Sequence, residues 1–496
     1  MYQSFIGLEV HIHLLTKTKV FCGCRSAFGD EPNTNVCPVC MGYPGVMPAL
    51  NIEAMRMGCL VARALGCRIP ERTWFERKQY FYPDMPKNYQ ISQFASPLGQ
   101  DGRVEIEGGG IKKQVRIKEC HLEEDAGKMI HTGAVSLLDY NRAGVSLLEI
   151  VTEPDMESGE EAELFLQQLR RTVRYLGVCD GNMEEGSLRA DANVSINVTG
   201  GGLGRKVEIK NLNSSRFVRL GLNYEIKRQA GLLDTGKTVV QETRLWNENR
   251  DETAPMRSKE NAQDYRYFPE PDLPVFAPDA DFLKSVEAGL VELPLPRARR
   301  VKEEYGLSDE QAFLLCEEKA VADYYESAVG AASALGLEKK DAAVRIANQF
   351  LSAVKHILSR DKIEPSAVAS IKLTPARLAR LTALVASGKI SNKNAKFVME
   401  AVFSEDKDPD AIVQERGLEQ INDPAAISAV VNSVWEAESE TVTSARAALD
   451  SGNQKKVKAL TTYLVGKILA ATGGRASPEI AGAQIEARLR ETESGI

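Results

Sequence analysis

Near its N-terminus the chain reads Phe5-Ile-Gly-Leu-Glu-Val-His-Ile12, in which apolar and polar side chains alternate. This period of two is typical of a β-strand with one face in a core. Glu9 and His11 are two residues apart and therefore project to one side of this strand. Similar period-two segments recur at residues 104–107, 115–118, 192–198 and 206–210. The first part of the chain is thus predicted to be β-rich.

Helical patterns are interleaved with these strands. Apolar residues recur at i, i+3 and i+4 over 52–65 and 160–176, and Ser158 is placed to cap the second helix. Proline-rich stretches at 268–275 and 293–296 can continue neither a helix nor a central strand. We therefore predict an α+β fold with three domains. These are a β-rich cradle at 1–292, a helical domain at 293–405 and a small helical tail domain at 406–496.

Composition restricts the class of protein. The 496 residues include 62 basic and 69 acidic side chains, a formal net charge of −7, which argues against a surface coated in basic residues but permits a local basic patch. No apolar run approaches the ~20 residues that span a bilayer, and the N-terminus lacks the features of a secretory signal. With nine cysteines and no export signal, we expect a cytoplasmic protein without a membrane partner.

Four cysteines form two closely spaced pairs. Cys22 and Cys24 are separated by one residue, and Cys37 and Cys40 by two. Four thiolates at such spacing suit a tetrahedral Zn²⁺ and leave no open position for catalysis. The segment 22–40 is therefore predicted to be a structural zinc knuckle, with four unligated thiols as the alternative.

Acidic side chains recur in segments whose neighbours are apolar. They are Glu9, three carboxylates within His121–Lys128, Glu149, Asp191 and Glu208, and His11 shares the strand of Glu9. Carboxylates buried together repel each other unless a cation neutralises them. Oxygen ligands with one imidazole suit Mg²⁺ or Mn²⁺, and Lys78, Arg142 and Lys210 would hold phosphates. This combination suits phosphoryl transfer from ATP.

Other catalytic patterns are rejected. Gly231–Thr238 fits the P-loop consensus, but a helical pattern precedes it and a strand pattern follows it, which is the reverse of a P-loop. No Gly-x-Ser-x-Gly elbow occurs, and no lone cysteine has an evident histidine partner. Amidase or protease activity within this chain is therefore not expected.

Several longer motifs resemble one known family, the B subunits of aspartyl/glutamyl-tRNA amidotransferase. They are Gly7–His11, Tyr80–Asp84, Tyr89–Gln93, His121–Lys128, Asp139–Arg142, Met183–Asn193, Glu208–Ser214 and Asp264–Asp272. These motifs are closely spaced over the first 292 residues, whereas residues 293–496 match the family by their size and helical character. Ser146 stands where the family more often has proline.

The resemblance implies a heterotrimer in which the partners are an amidase, called the A subunit, and a small C subunit. The B subunit would bind misacylated Glu-tRNA(Gln) or Asp-tRNA(Asn) and use ATP and Mg²⁺ to phosphorylate the side-chain carboxylate. Ammonia from the amidase would then displace the phosphate and leave an amide. A dry pocket is required, because water would otherwise hydrolyse the acyl phosphate.

The resemblance also assigns residues by motif. His11, Glu124 and Glu149 are expected to hold magnesium, with Glu9 as a further candidate. Lys78, Tyr80, Arg142, Glu149, Asp191, Glu208 and Lys210 are expected to line the catalytic pocket. Strand parity puts Glu123 and Glu124 on opposite faces, and which one points inward stays open. In the tail, Lys455, Lys456 and Lys458 are expected to contact tRNA phosphates.

Two other hypotheses stay open. The chain could be a non-catalytic tRNA-binding scaffold whose carboxylates form solvated strand faces. It could also be a metal-dependent ligase that acts on a free amino acid.

Overall fold

The fold is taken from a computed structural model, which describes residues 2–256 and 265–491. Contacts between Cα atoms divide the chain into two compact units, Met1–Leu295 and Pro296–Ile496. The first unit contains the strands and the second is helical, so the predicted α+β class is confirmed.

The first unit is organised around an eight-stranded sheet with the order β12-β11-β10-β9-β1-β8-β5-β4. Its strands are β1 (Tyr2–His13), β4 (Gly99–Gly108), β5 (Ile111–Glu124), β8 (Ser146–Thr152), β9 (Leu188–Val198), β10 (Val207–Lys210), β11 (Thr243–Asn247) and β12 (Glu252–Pro255). Neighbouring strands are antiparallel except β10 and β11, which are parallel. The predicted N-terminal strand is β1, which pairs with β9 on one side and β8 on the other.

One face of this sheet is apolar and is covered by helices. Ile6, Leu8, Val10 and Ile12 of β1 are almost fully buried, as the alternation predicts. They share one core with apolar residues of α1 (Ile52–Ala64), α2 (Gly159–Tyr175) and α3 (Ser215–Asp234). Ser158 caps α2 as predicted, because its hydroxyl accepts a hydrogen bond from the Glu161 amide at 3.2 Å.

The first unit has two smaller sheets and one further helix. β2 (Glu76–Gln79), β3 (Tyr89–Ser92) and β13 (Phe268–Pro269) form a three-stranded sheet in the order β13-β2-β3. β6 (Lys128–Thr132) and β7 (Val135–Asp139) form a hairpin. The helix α4 (Ala280–Ala288) contacts α1.

The P-loop consensus does not form a P-loop. Residues 231–234 are the last turn of α3, which ends at Asp234, and the next strand begins only at Thr243. The order is helix, loop and strand, so the rejection is confirmed. Just before this strand, the Glu242 carbonyl accepts a backbone hydrogen bond from the Glu208 amide of β10 at 3.1 Å.

The second unit is helical throughout the described residues. Its helices are α5 (Pro294–Tyr305), whose first two residues belong to the first unit, α6 (Asp309–Leu315), α7 (Lys319–Ala334), α8 (Lys339–Gln349), α9 (Lys355–Arg360), α10 (Pro375–Ala386), α11 (Asn392–Glu405), α12 (Pro409–Glu415), α13 (Pro424–Ala437), α14 (Ser439–Asp450), α15 (Gln454–Ala471) and α16 (Pro478–Arg490). A π-helical turn at Phe350–Val354 and a 3₁₀ turn at Pro365–Ser370 complete it.

Two separate apolar clusters lie within this unit. One extends from Ala298 to Val413 and the other from Ile427 to Leu489. The helix α12 contributes Ile412 and Val413 to the first cluster, although it lies beyond the predicted domain boundary at 405. The division into three domains stays a prediction. Within the described ranges, none of the helices has both the length and the apolar character that crossing a bilayer requires.

Candidate functional site

The second face of the large sheet is polar, and it carries most of the predicted site residues. Strand pairing aligns His11 with Glu149 of β8 and Arg189 of β9, and it aligns Glu9 with Asp191. His121 of β5 is aligned with Glu149 in turn. Because side chains in register share a face, these residues form one continuous polar surface across four strands.

Three ligand-type side chains converge at the centre of this surface. The Nε2 atom of His11 lies 3.6 Å from Glu123 Oε1 and 3.5 Å from Glu149 Oε2. One donor atom from each residue lies within 4.8 Å of the others. His121 completes the group, since its Nε2 lies 2.8 Å from Glu149 Oε2.

Burial and charge act in opposite directions on these groups. Burial favours the neutral imidazole of His11 and His121, but the carboxylates of Glu149 and Glu123 outweigh it and raise both pKa values. For Glu149, burial alone would raise the pKa. Hydrogen bonds from His11 and His121 outweigh burial and hold the pKa of Glu149 well below its usual range. The group is therefore held together by charge.

The group fits a hard divalent cation. Ligand atoms around one Mg²⁺ lie about 3–4.2 Å apart, and the two measured separations from His11 fall within this range. One imidazole with two carboxylates is a donor set that Mg²⁺ and Mn²⁺ accept. The Nδ1 atom of His121 is buried without a hydrogen-bond partner among the described residues.

Glu124, predicted as a magnesium ligand, is not part of this group. Its carboxylate binds the ammonium of Lys87 and accepts a hydrogen bond from the Ile91 amide at 2.8 Å. It lines a different cavity of about 210 Å³. Glu123 takes the place beside His11 because β5 directs these two neighbours to opposite faces. The role of Glu124 as a magnesium ligand stays a prediction, and the geometry favours Glu123 as the carboxylate beside His11.

Lys78 and Tyr80 border the His11 group. Together with Tyr265, Glu123 and Arg189 they line a cavity of about 190 Å³ that includes His11. The Lys78 ammonium lies 5.0 Å from the centre of the Tyr265 ring. Burial lowers the pKa of Lys78, but Glu123, Tyr267 and Glu149 outweigh it and raise that pKa, so Lys78 stays cationic.

The remaining predicted residues lie further along the same face. Lys210 Nζ bridges Asp191 Oδ2 at 2.5 Å and Glu208 Oε1 at 3.0 Å. Burial lowers the pKa of Lys210, and Asp191 and Glu208 overcome this and raise it strongly. Glu9 accepts a hydrogen bond from Asn193 at 2.9 Å, and burial followed by repulsion from Glu149 raises its pKa. The single positive charge of Lys210 is thus shared between the carboxylates of Asp191 and Glu208 and offsets only one of their two negative charges.

Arg142 lies at the edge of a neighbouring cavity of about 700 Å³ rather than in the cavity of His11. Its Nε and Nη2 atoms donate to the carbonyl oxygens of Ala126 and Gly127 at 2.9 and 2.8 Å. Its Nε atom lies 3.4 Å from Asp125 Oδ2. Asp125 lines the cavity of His11, so Arg142 reaches that cavity through this carboxylate.

The four predicted zinc ligands come together. One sulfur from each of Cys22, Cys24, Cys37 and Cys40 lies within 4.8 Å of the others. The Sγ atoms of Cys37 and Cys40 are 3.9 Å apart, close to the ~3.8 Å edge of a tetrahedral zinc–thiolate site. A hydrogen bond from Cys22, opposed by burial, lowers the pKa of Cys40 to about 4. The geometry fits a metal ion with four thiolate ligands.

The three tail lysines lie at the start of α15. Lys455, Lys456 and Lys458 are exposed, and the Lys456 amide donates to the capping Asn453 side chain at 3.1 Å. Cations at a helix N-terminus oppose the helix dipole and cost stability. These three lysines therefore do not stabilise α15.

Sequence reasoning misses several members of the site. It assigns no individual role to His121 or Arg189, and it includes Asp125 only as one of the three carboxylates within His121–Lys128. His13 Nε2 lies 2.6 Å from Asp125 Oδ2. His121 could have been found, because it lies two residues before Glu123 on one strand and so shares its face. Asp264, the first residue of the last motif, lies outside the described residues.

Comparison with known families defines the class of protein. The profile of the GatB/GatE catalytic domain matches residues 4–284, and the profile of the GatB domain matches residues 325–489. The polar sheet face with its His11 group therefore lies in a catalytic domain of the GatB/GatE class.

Individual relatives cover the whole chain. The chain is 44% identical over 492 residues to the B subunit of the aspartyl/glutamyl-tRNA(Asn/Gln) amidotransferase of Thermodesulfovibrio yellowstonii, with 99% of this chain and 100% of the relative covered. It is 45% identical over 484 residues to the B subunit from Carboxydothermus hydrogenoformans, with coverages of 96% and 97%. The chain therefore belongs to the family of aspartyl/glutamyl-tRNA(Asn/Gln) amidotransferase B subunits.

Proposed function

We propose that this chain activates the side-chain carboxylate of Glu-tRNA(Gln) or Asp-tRNA(Asn) with ATP and converts it to the amide. The observation that carries the proposal is the convergence of His11, Glu123 and Glu149 beside Lys78 in one cavity. A carboxylate has no good leaving group, whereas an acyl phosphate has one. The cavity combines the donors for a cation with an ammonium for phosphate.

The chemistry divides into two displacements. A carboxylate oxygen of the aminoacyl group attacks the γ-phosphorus of ATP, and the bond to ADP breaks. Ammonia then attacks the acyl carbon, inorganic phosphate leaves, and the nitrogen loses a proton. When bound, Mg²⁺ would be held by His11, Glu123 and Glu149 and would offset the negative charge of the phosphates.

The residues of the chain orient and shield these reactants. Lys78 is held cationic by Glu123 and Glu149 and is placed to bind an anionic oxygen. Tyr80 and Tyr265 wall the cavity, which limits the access of water to a hydrolysable acyl phosphate. Lys210 holds Asp191 and Glu208 in fixed positions beside Glu9 on the same face.

The other features serve the substrate and the fold. Cys22, Cys24, Cys37 and Cys40 would hold a structural Zn²⁺, because four thiolates leave no open position. Lys455, Lys456 and Lys458 would contact tRNA phosphates. The relatives are named as B subunits, which supports assembly with an amidase as the A subunit, together with a small C subunit. Nine cysteines free of disulfide bonds suit the cytoplasm.

A transamidation assay tests this function. The chain is co-purified with its partner subunits and incubated with ATP, Mg²⁺, glutamine and each misacylated tRNA, and the amidated aminoacyl-tRNA is quantified. We expect amide formation only with ATP, and we expect Glu149→Gln to reduce it by about 100-fold or more. Amide formation that does not depend on Glu149 would contradict the proposal.

Two further arms of this assay address the competing hypotheses. A scaffold would support no ATP-dependent amide formation in the complete complex. A ligase for free amino acids would hydrolyse ATP with free glutamate as well as with Glu-tRNA(Gln). Either result would replace the proposed function.

A further inference from the structure

Asp125 is a buried carboxylate on which three cationic-type side chains converge. It accepts hydrogen bonds from His13 Nε2 at 2.6 Å and Arg189 Nη2 at 2.9 Å, and Arg142 Nε lies 3.4 Å away. Its backbone is fixed to the loop after β7, since its amide donates to the Val145 carbonyl at 2.9 Å.

Two guanidinium groups share the Asp125 carboxylate, those of Arg142 and Arg189. A second carboxylate, that of Asp84, lies close to Arg142. Arg142 also donates to two backbone carbonyl oxygens, which fixes it in the wall. Arg189 makes no such backbone contact in the described structure, and 39% of its side chain is exposed.

Arg189 presents its guanidinium group to the cavity of His11. It lines that cavity together with Lys78 and Glu123. Its Nη2 atom is engaged by Asp125, and its Nε atom is buried without an acceptor among the described residues. A guanidinium with one carboxylate contact and remaining donors at a cavity wall is suited to a second oxyanion.

We propose that Arg189 binds a phosphate oxyanion of the substrates in this cavity and that Asp125 is the positioning residue that aims its guanidinium. This inference rests on the proposed function and adds to it a phosphate ligand and its support. The oxyanion belongs either to the nucleotide or to the 3′ end of the tRNA, and both present the same chemistry. A purely structural Arg189–Asp125 pair is the competing explanation.

The experiment measures two binding equilibria with the complete complex of this chain and its partner subunits. One arm titrates ADP with Mg²⁺ in the absence of tRNA, and the other titrates uncharged tRNA in the absence of nucleotide. We expect Arg189→Gln to weaken the binding of either ADP or tRNA by about tenfold or more, and we expect Arg189→Lys to weaken the same binding by less. Loss in the first arm assigns the nucleotide phosphate, and loss in the second assigns the tRNA.

A matched control is Arg116→Gln, because Arg116 also forms an ion pair with an aspartate, Asp155, at 2.6 Å on the same sheet. It lines neither of the cavities near Asp125, and we expect both binding equilibria to be unchanged in this variant. If Arg189→Gln also leaves both unchanged while its thermal stability falls, the pair is structural and the inference is overturned.

The positioning role of Asp125 is tested by a double-mutant cycle on the affected ligand. Asp125→Asn should weaken binding in the same arm as Arg189→Gln, and the double variant should be no weaker than Arg189→Gln alone. Additive losses would show that Asp125 does not act through Arg189. The proposed function is tested separately, since wild-type complex without ATP-dependent amidation would refute that function, whatever Arg189 binds.

Discussion

Glu123 and Glu124 are neighbours in the chain but face two different cavities. Glu123 Oε1 lies 3.6 Å from His11 Nε2, whereas the Glu124 carboxylate binds Lys87 on the opposite side of β5. The two residues carry the same functional group, so any difference between them must come from position. This makes them a matched pair for experiment.

We predict that Glu123→Gln weakens equilibrium Mn²⁺ binding by about 10–100-fold, because it removes one charged donor from the His11 group. Glu124→Gln should change Mn²⁺ affinity by less than about twofold, since its carboxylate is absent from that group. Isothermal titration calorimetry on both variants measures the difference. Equal losses in the two variants would contradict the assignment of Glu123.

Metal affinity should also depend on pH. The pKa of His11 is raised by Glu149 and Glu123, so a proton competes with the metal for this imidazole near neutrality. Affinity for Mn²⁺ should therefore rise with pH throughout the range below the raised pKa of His11 and level off above it. Mn²⁺ titrations at several pH values measure this dependence.

The control for the pH dependence is His131→Gln. His131 lies on the exposed β6–β7 hairpin and pairs with Ser136 Oγ at 2.8 Å, away from the carboxylates. This variant should keep the wild-type profile, whereas His11→Gln should flatten it and lower the affinity throughout. An unchanged slope in His11→Gln would assign the titration to another group.

The four-cysteine cluster predicts a stoichiometric zinc ion. Cys40→Ser should reduce the zinc content from about one ion per chain to well below one, because three thiolates hold the ion more weakly. The melting temperature should fall in the same variant. Cys179→Ser is the control, since this buried thiol lies outside the cluster and should leave the zinc content unchanged.

The three lysines at the start of α15 should affect tRNA binding without contributing to the stability of the fold. Changing Lys455, Lys456 and Lys458 to Gln should weaken tRNA binding and reduce the dependence of log K on log salt by about 0.7–0.9 for each phosphate contact that the change removes. The melting temperature should not fall, because the three cations oppose the helix dipole. Filter binding at several salt concentrations measures the slope.

A second lysine triple serves as the control for this contact. Lys372, Lys393 and Lys396 are also exposed in the helical unit, and their change to Gln removes the same net charge. If that variant lost as much affinity as the first, the effect would reflect overall charge rather than a contact at α15.

The discarded P-loop consensus gives a further prediction. Lys237→Ala should leave ATP turnover of the complex within about twofold, because Lys237 follows the end of α3 and no strand leads into that segment. Lys78→Ala should reduce turnover by about 100-fold or more, since it removes an ammonium from the cavity of His11. A loss in Lys237→Ala comparable to that in Lys78→Ala would contradict this assignment.

The sequence predicted the parts of the site that depend on alternation within a strand. Glu9 and His11 share the polar face of β1, as their spacing requires, and the helix cap at Ser158 follows from local hydrogen bonding. The four cysteines could be grouped because their spacing brings them together within one short segment. These relationships are local and need no knowledge of distant contacts.

Relationships between distant residues could not be predicted in the same way. Alternation along β5 places Glu123 and Glu124 on opposite faces, but it does not say which face is the polar one. That is set by the pairing of β5 with β8, which has an irregularity between Ile117 and Glu119. The convergence of His13 and Arg189 on Asp125 depends on three separate segments. Such contacts follow from sheet order, which a pattern of hydrophobicity does not determine.

The position of β1 between β8 and β9 limits how this chain can change in evolution. Its alternate residues supply the core on one face and His11 on the polar face, and both neighbours are paired to it residue by residue. Inserting or deleting a single residue within β1 would turn His11 into the core and expose Val10 in its place. Substitutions can accumulate along this strand, but its length between the two neighbours cannot vary.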